Sequence, residues 1–329
     1  MWNEDRFRYN VATAMNNERL QLILYPTELC NFRCLYCYED HKGVNMSPET
    51  VARIKKFLDN RIPSLKVLEI EWFGGEPLLV KDIIFDLSLY AKRLCEQYGV
   101  SFYAYLTSNG FLLDYDTFSR LCSLNVLTYQ ITFDGDKENH NKFRIKNGNN
   151  RETFDTIWSN VLATKKLDAP FSFVIRCHIT AINKASVESL LARIEPIFGN
   201  DKRYFIHLKE VSALGGPNDA DMCLLEKDAV KGEIERIKAK HPNLQYISIE
   251  EEYVCYAAKP NSFAIRSNGD IIKCTVAMND TVNHLGHIDA DGTLSLDTDK
   301  YIQWFKGLET LDRDFLACPY YRYFKKIKQ

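Results

Sequence analysis

The sequence predicts an α/β fold with parallel strands, on three observations. From residue 20 to about 211, apolar strand-like runs alternate with helical patterns. Glycine-bearing polar runs follow several strands, where the working groups of such folds sit. From Cys255 onward the chain changes to short strands and turns.

The strand candidates are Leu20–Tyr25, Val67–Phe73, Ser101–Thr107, Leu127–Phe133, Phe171–Thr180 and Tyr204–Val211. Helical patterns fill the gaps at Ser47–Asn60, Lys81–Tyr98, Tyr115–Leu124, Thr153–Leu167 and Ser186–Phe198. The first helix has a strong start: Ser47 is an N-cap residue and Pro48 suits the first helical position. Six such units imply a parallel sheet with helical crossovers. A partial (β/α) barrel and an open doubly wound sheet both satisfy the pattern. Ser212–Asp221 is a turn-rich break, followed by a helix at Leu224–Lys240 and a strand candidate at Gln245–Glu250. Phe263–Arg266 and Asp270–Lys273, joined by Ser267, Asn268 and Gly269, predict a hairpin. The expected organisation is an N-terminal segment (1–19), the α/β body (20–222), a linking helix and strand (223–254) and a small C-terminal domain (255–329).

The 329 residues are 46% hydrophobic and 12% aromatic, as in a packed globular protein. With 42 basic against 44 acidic residues, no nucleic-acid-binding field is expected. No apolar run reaches membrane-span length, and the polar opening is no signal peptide. Ten cysteines without a secretory signal favour metal ligands and reduced thiols over disulfides. A cytoplasmic location is expected.

Cys30, Cys34 and Cys37 lie in the run CNFRCLYC, just after the first strand. A loop leaving a strand can curl three thiolates around one face of a cluster. A four-iron cubane takes four ligands, so three local cysteines leave one iron for an exchangeable partner. Zinc also binds closely spaced cysteines, and His41 could complete such a site by ligand type.

CNFRCLYC resembles the signature of the radical S-adenosylmethionine (SAM) enzymes. The resemblance implies a partial barrel of six (β/α) units, and a [4Fe–4S] cluster on Cys30, Cys34 and Cys37 with SAM at the open iron. It implies reductive cleavage of SAM to a 5′-deoxyadenosyl radical that takes a hydrogen atom from substrate. It places Tyr36 near the adenine. The run Trp72-Phe73-Gly74-Gly75-Glu76-Pro77-Leu78-Leu79 resembles the family segment that holds the amino group of SAM, with Gly74, Gly75 and Glu76 as contacts. Thr107-Ser108-Asn109-Gly110 matches the element near the SAM ribose, giving Ser108 and Asn109. Thr132-Phe133-Asp134-Gly135, with His140 and Arg144, resembles a further family run. Thr132 and Arg144 are candidates for the SAM carboxylate, with Arg176 as a rival. Asp134 is a candidate contact for substrate or SAM. Cys95, Cys122 and Cys177 read as buried small hydrophobes.

Thirteen residues separate Cys255 from Gly269, and four more separate Gly269 from Cys274. With Cys318, this spacing resembles the SPASM and Twitch extensions of radical SAM proteins, which bind auxiliary clusters. Tyr321 stands where a full SPASM series has its next cysteine. One auxiliary iron–sulfur cluster on Cys255, Cys274 and Cys318 is therefore expected, rather than two.

FGGEPLL with such a tail most resembles maturases of ribosomally made peptides. The resemblance implies a precursor-peptide substrate and an electron donor such as flavodoxin or ferredoxin. Only about twenty residues precede the first strand, too few for an ordinary fused leader-binding domain, so a separate leader-binding protein is a candidate partner. Thr275 occupies the position that holds an aspartate in sulfatase-maturing relatives, which counts against that activity. The expected reaction is intrapeptide crosslinking. The alternatives are peptide epimerisation, with Cys223 as the catalytic hydrogen donor, or dehydrogenation of a small molecule. As a bland reading, Cys223 is a buried cysteine at a helix start.

Overall fold

The computed structural model describes residues 2–148, 152–247 and 252–324. Its strands are β1 (Arg19–Leu24), β2 (Phe32–Cys34), β3 (Val67–Trp72), β4 (Ser101–Ser108), β5 (Val126–Phe133), β6 (Arg144–Lys146), β7 (Ser172–Ile179), β8 (Tyr204–Glu210), β9 (Ser262–Ile265), β10 (Asp270–Ile272), β11 (His284–Ile288) and β12 (Leu294–Leu296). The longer helices are α1 (Glu4–Ala14), α2 (Pro48–Arg61), α3 (Lys81–Tyr98), α4 (Tyr115–Ser123), α5 (Lys137–Phe143), α6 (Phe154–Thr164), α7 (Lys184–Phe198) and α8 (Lys227–Lys240). The six expected strands are β1, β3, β4, β5, β7 and β8, each within about two residues of its expected ends.

The chain forms two compact units. The first comprises Met1–Leu29, Gly43–Ala104 and Ile249–Gln329. Here β1 pairs in parallel with β3 on one side and β9 on the other. The expected hairpin, β9–β10, extends through β11 and β12 as an antiparallel ribbon. The tail is thus built onto β1. Leu20, Leu22 and Leu24 are fully buried, as are Leu68 and Ile70 of β3, because a parallel sheet is covered on both faces. Ser47 caps α2 by accepting from the Thr50 amide. The N-terminal segment holds a helix the sequence reading did not assign. Asn3 caps α1, which buries Phe7, Val11 and Ala14 against Val254, Ala258 and Leu316.

The second unit comprises Cys30–Lys42 and Tyr105–Ser248. Its sheet, β5-β7-β8, is parallel throughout. Phe118, Tyr129, Phe173, Phe198 and Tyr204 form an aromatic core with ring centroids 4.5 to 6.4 Å apart. A separate two-stranded ribbon pairs β2 with β6, opposing Cys34 to Arg144. Both strands are three residues long and carry no periodic signal. The expected strand at Gln245–Glu250 falls partly outside the described residues. Within them, Tyr246 makes an isolated bridge to Ile206.

Candidate functional site

The second unit carries the cysteine loop. β2 places Cys34 in the ribbon, and the Leu35 amide donates to the Phe143 carbonyl at 3.0 Å. The Phe32 amide donates to Cys30 Sγ at 3.3 Å, and Arg33 donates to the Cys30 carbonyl at 2.8 Å. Asn109, after β4, donates to Asn31 at 2.7 Å. Ser108 accepts from the Gly110 amide at 3.0 Å, shaping the Asn-Gly turn. Cys37 Sγ lies 3.4 Å from His41 Nε2, so the residue flagged as a zinc alternative does touch the loop. None of the three loop cysteines is in a disulfide, and all are half-buried. Burial pushes the Cys37 thiol up to about 12, with Glu39 and Cys34 adding to it. Burial also raises the Cys34 thiol, and the Arg144 guanidinium opposes that rise.

Tyr36 ties this loop into a buried polar chain. Its hydroxyl donates to Asp134 Oδ2 at 2.5 Å and accepts from Arg144 Nη1 at 2.7 Å. His178 Nδ1 lies 3.2 Å from Asp134 Oδ1, and Arg176 Nε lies 2.8 Å from His178 Nε2. Arginine only donates, so His178 Nε2 accepts and its proton sits on Nδ1, toward Asp134. Burial alone would raise the Asp134 carboxyl, but the close approach of His178 and the Arg144 charge hold it below the usual range. Burial works against the Arg144 charge, yet Tyr36, Cys34 and Asp134 outweigh it. Asp134 is therefore an ionised anchor whose Oδ2 accepts from Tyr36, while its Oδ1 faces His178 Nδ1 at 3.2 Å without hydrogen-bond geometry. Thr132, buried near the end of β5, lies in register with Arg176 on β7. His140 is fully buried against the rings of Phe133 and Phe154, and among the described residues neither ring nitrogen has a hydrogen-bond partner. Sequence reasoning missed His178 because it sits in an apolar strand with no motif around it.

Cys223 is exposed and precedes α8 by four residues, so the reading of it as a buried helix-start cysteine is corrected. Its carbonyl accepts from the Ala181 amide, which holds it on the turn after β7 rather than in the core. Cys95 and Cys177 are buried as expected, while Cys122 is half-buried against the Tyr129 hydroxyl.

The first unit carries the Gly-Gly-Glu run and the C-terminal cysteines. Gly74 and Gly75 both have positive φ, and a Cβ on them would stand 1.9 Å from the Tyr25 ring and 2.2 Å from the Leu29 carbonyl. Both glycines are required by this close approach to the end of β1. Glu76 is fully buried, its carboxylate accepts from the Leu78 amide at 3.0 Å, and its own amide donates to the Leu29 carbonyl at 2.9 Å. Glu28, missed by the sequence reading, is buried and pairs with Arg266 at 2.6 Å and with Ser267.

Cys255, Cys274 and Cys318 are also free, and their thiols are close enough to act on one another electrostatically. Burial pushes Cys274 up to about 12, with Cys255 and Cys318 contributing. Asn283 clamps the region. Its side-chain oxygen accepts from the Lys273 and Cys274 amides, and its nitrogen donates to the Cys274 and Ala277 carbonyls. Thr275 shares a 2.7 Å hydrogen bond with the Tyr256 hydroxyl.

Among the described residues, no three His, Cys, Asp or Glu side chains converge closely enough to hold a metal ion. The donor chemistry nonetheless fits clusters. Each trio offers three unbridged thiols, one on a single loop and one within a shared neighbourhood. The buried Arg144 guanidinium acts on Cys34 and opposes its neutral thiol form, and the Lys273 amine, which burial pushes down to about 7, acts on Cys255 when protonated.

The model of the radical SAM superfamily matches residues 24–191. The chain belongs to the radical SAM superfamily. The solved structure of anSMEcpe with bound AdoMet and Cp18Cys peptide is similar at a TM-score of 0.67 and 19% identity, over 92% of this chain and 87% of that one. The Streptococcus suis protein SuiB, solved bound to precursor peptide SuiA, is similar at 0.61 and 16% identity, over 93% and 70%. These likenesses show the radical SAM fold, a partial (β/α) barrel with a small C-terminal domain. Among curated relatives, Fe-coproporphyrin III synthase of Methanosarcina barkeri is 29% identical over 37% of this chain and 29% of its own length. GTP 3′,8-cyclase of Campylobacter jejuni is 34% identical over 26% of each. The chain spans under a third of the length of these curated relatives. Among the described residues of this radical SAM chain, no helix is long and apolar enough to cross a membrane.

Proposed function

We propose that this chain is a radical SAM maturase that forms an intrapeptide crosslink in a ribosomally made peptide. The observation that carries the reading is the CNFRCLYC loop with three thiols outside any disulfide, in a fold that extends over nine-tenths of the chain in common with anSMEcpe. That neighbour and SuiB were both solved with peptides, which supports a peptide substrate. Cys30, Cys34 and Cys37 would hold a [4Fe–4S] cluster, and Cys255, Cys274 and Cys318 one auxiliary cluster. Bound cluster and SAM would supply an electron and a 5′-deoxyadenosyl radical for hydrogen abstraction. Glu76 would accept from the SAM amino group, with the backbone of Gly74 and Gly75 beside it. Arg144, Thr132, Ser108, Asn109 and Tyr36 are the further SAM contacts of this reading. Arg176 is the rival for the carboxylate, since each arginine already holds one partner, Tyr36 for Arg144 and His178 for Arg176. A flavodoxin or ferredoxin and a separate leader-binding protein are the proposed partners, in a cytoplasm. Residues 20–222 would form the catalytic domain and 255–329 the auxiliary one.

One observation favours a second reading, epimerisation: Cys223 is exposed, as a hydrogen-atom donor must be. Anaerobic incubation with candidate precursor peptides and mass analysis separates the two. A product lighter by two hydrogens is expected, and should still form with Cys223→Ala. An isobaric product that takes up solvent deuterium, and is lost in Cys223→Ala, would establish the epimerase instead.

A further inference from the structure

A cavity of about 270 Å³ opens in the second unit beside the cysteine loop. Leu35, Phe143, Ile182 and Met222 give it apolar walls. Thr180, Asn218, Asp221 and Cys223 supply its polar groups. It lies at the carboxyl end of β7, since Thr180 directly follows that strand. Asn218 fixes one wall by donating to the Leu35 carbonyl at 3.0 Å. The Thr180 hydroxyl is the unusual member. Its residue is 2% exposed, and among the described residues the oxygen has no hydrogen-bond partner. A buried hydroxyl without a partner is costly, and a ligand that supplies one recovers that cost. At the rim, Ile182 is 65% exposed.

The lining selects among ligand chemistries. It holds a carboxylate, an amide, a hydroxyl and a thiol, but among the described residues no Lys, Arg or His. An acidic side chain would meet Asp221 with like charge. A purely apolar side chain would leave the Thr180 hydroxyl unmatched. An aliphatic stem ending in an ammonium satisfies both halves: the stem lies along apolar walls while the head offers three donors and no acceptor. We propose that this cavity is a subsite for an amine-bearing aliphatic side chain of the substrate. The inference deepens the peptide-maturase reading, and its test is independent of turnover.

Cys223 lines the cavity and is exposed, so its alkylation reports occupancy. The full chain with its clusters intact is treated anaerobically with N-ethylmaleimide, and labelling at Cys223 is followed by peptide mapping. Nα-acetyl-lysine methylamide at about twice its dissociation constant should slow that labelling about three-fold. The norleucine and glutamate methylamides at the same concentration should protect far less. Thr180→Val and Asp221→Asn should each weaken protection by the lysine probe, leaving the unprotected labelling rate unchanged. Equal protection by lysine and norleucine probes, stronger protection by glutamate, or none by lysine overturns the proposal. Failure to modify any precursor peptide would instead count against the maturase reading alone.

Discussion

The two cysteine trios are held in different ways. Cys30, Cys34 and Cys37 sit within eight residues and are fastened by charged and polar side chains: Tyr36, Asp134, Arg144 and the His178–Arg176 pair behind them. Cys255, Cys274 and Cys318 come from distant points of the chain and are fastened mainly through backbone. The Cys255 amide donates to the Leu316 carbonyl, and Asn283 holds the Cys274 segment. A compact motif can rely on a specialised side-chain scaffold. A dispersed one depends on the fold that gathers it.

The largest effect should come from removing the first trio. Cys30→Ala, Cys34→Ala and Cys37→Ala together should abolish reductive SAM cleavage, read as 5′-deoxyadenosine release. Reconstituted wild type should hold about eight irons and the triple variant about four. A wild-type content near four would deny the second trio a cluster, and cleavage by the variant would deny the first its role.

Asn283→Ala should break the second trio while sparing the first. It removes one side chain that satisfies four backbone groups in a fully buried place. Each buried group left unsatisfied costs about 1–3 kcal/mol. The expected result is a large fall in denaturant midpoint and loss of about half the iron, with SAM cleavage by the remaining cluster retained. Unchanged iron content would show that Asn283 does not set the position of Cys274.

Next in size is Glu76→Gln, which keeps an oxygen for the Leu78 amide but removes the charge. Charge-assisted hydrogen bonds are roughly twice as strong as neutral ones, so anaerobic SAM affinity should fall by about ten-fold with iron content unchanged. Equal affinity would assign the amino group to the backbone of Gly74 and Gly75.

The same contrast explains what could be read in advance. The six parallel strands and the first trio were legible because period, caps and spacing are local signals. Ser47-Pro48 marked a helix start, and CNFRCLYC marked a loop with three closely spaced thiols. The three-residue strands β2 and β6 were not legible, since they owe their form to pairing with each other. His178 lies far in sequence from the cysteine loop, and Asn283, nine residues after Cys274, carries no motif that marks it, so only folding gives either a role. Glycines 74 and 75 were noticed for a ligand, but their backbone φ of 85° and 51° first serves close packing on Tyr25 and Leu29. Helix α1 was missed because its apolar side is only Phe7, Val11 and Ala14 in an otherwise polar segment.

The smallest predicted effect concerns acid sensitivity, which should concentrate around the first trio. Burial, and then the Arg144 charge, push the His140 imidazole down to about 3, with Asp134 opposing. An unfolded chain binds a proton on this histidine below about pH 6.5, whereas the folded protein stays neutral until about pH 3. Across that window the unfolded state carries more protons, so stability falls as pH drops. Asp134 acts in the same direction but lower. Its carboxyl is depressed, so its contribution is present above the ordinary carboxylate value and is lost as pH falls through the folded one. His140→Leu keeps an apolar filling against Phe133 and Phe154 and removes the first titration only. Its urea midpoint should therefore vary less than that of wild type between pH 6.5 and the carboxylate range, and then fall in parallel with it. Identical slopes for both proteins from pH 6.5 downward would mean that His140 takes its proton without unfolding, and that the ring of charges around the cysteine loop is looser than its hydrogen bonds imply.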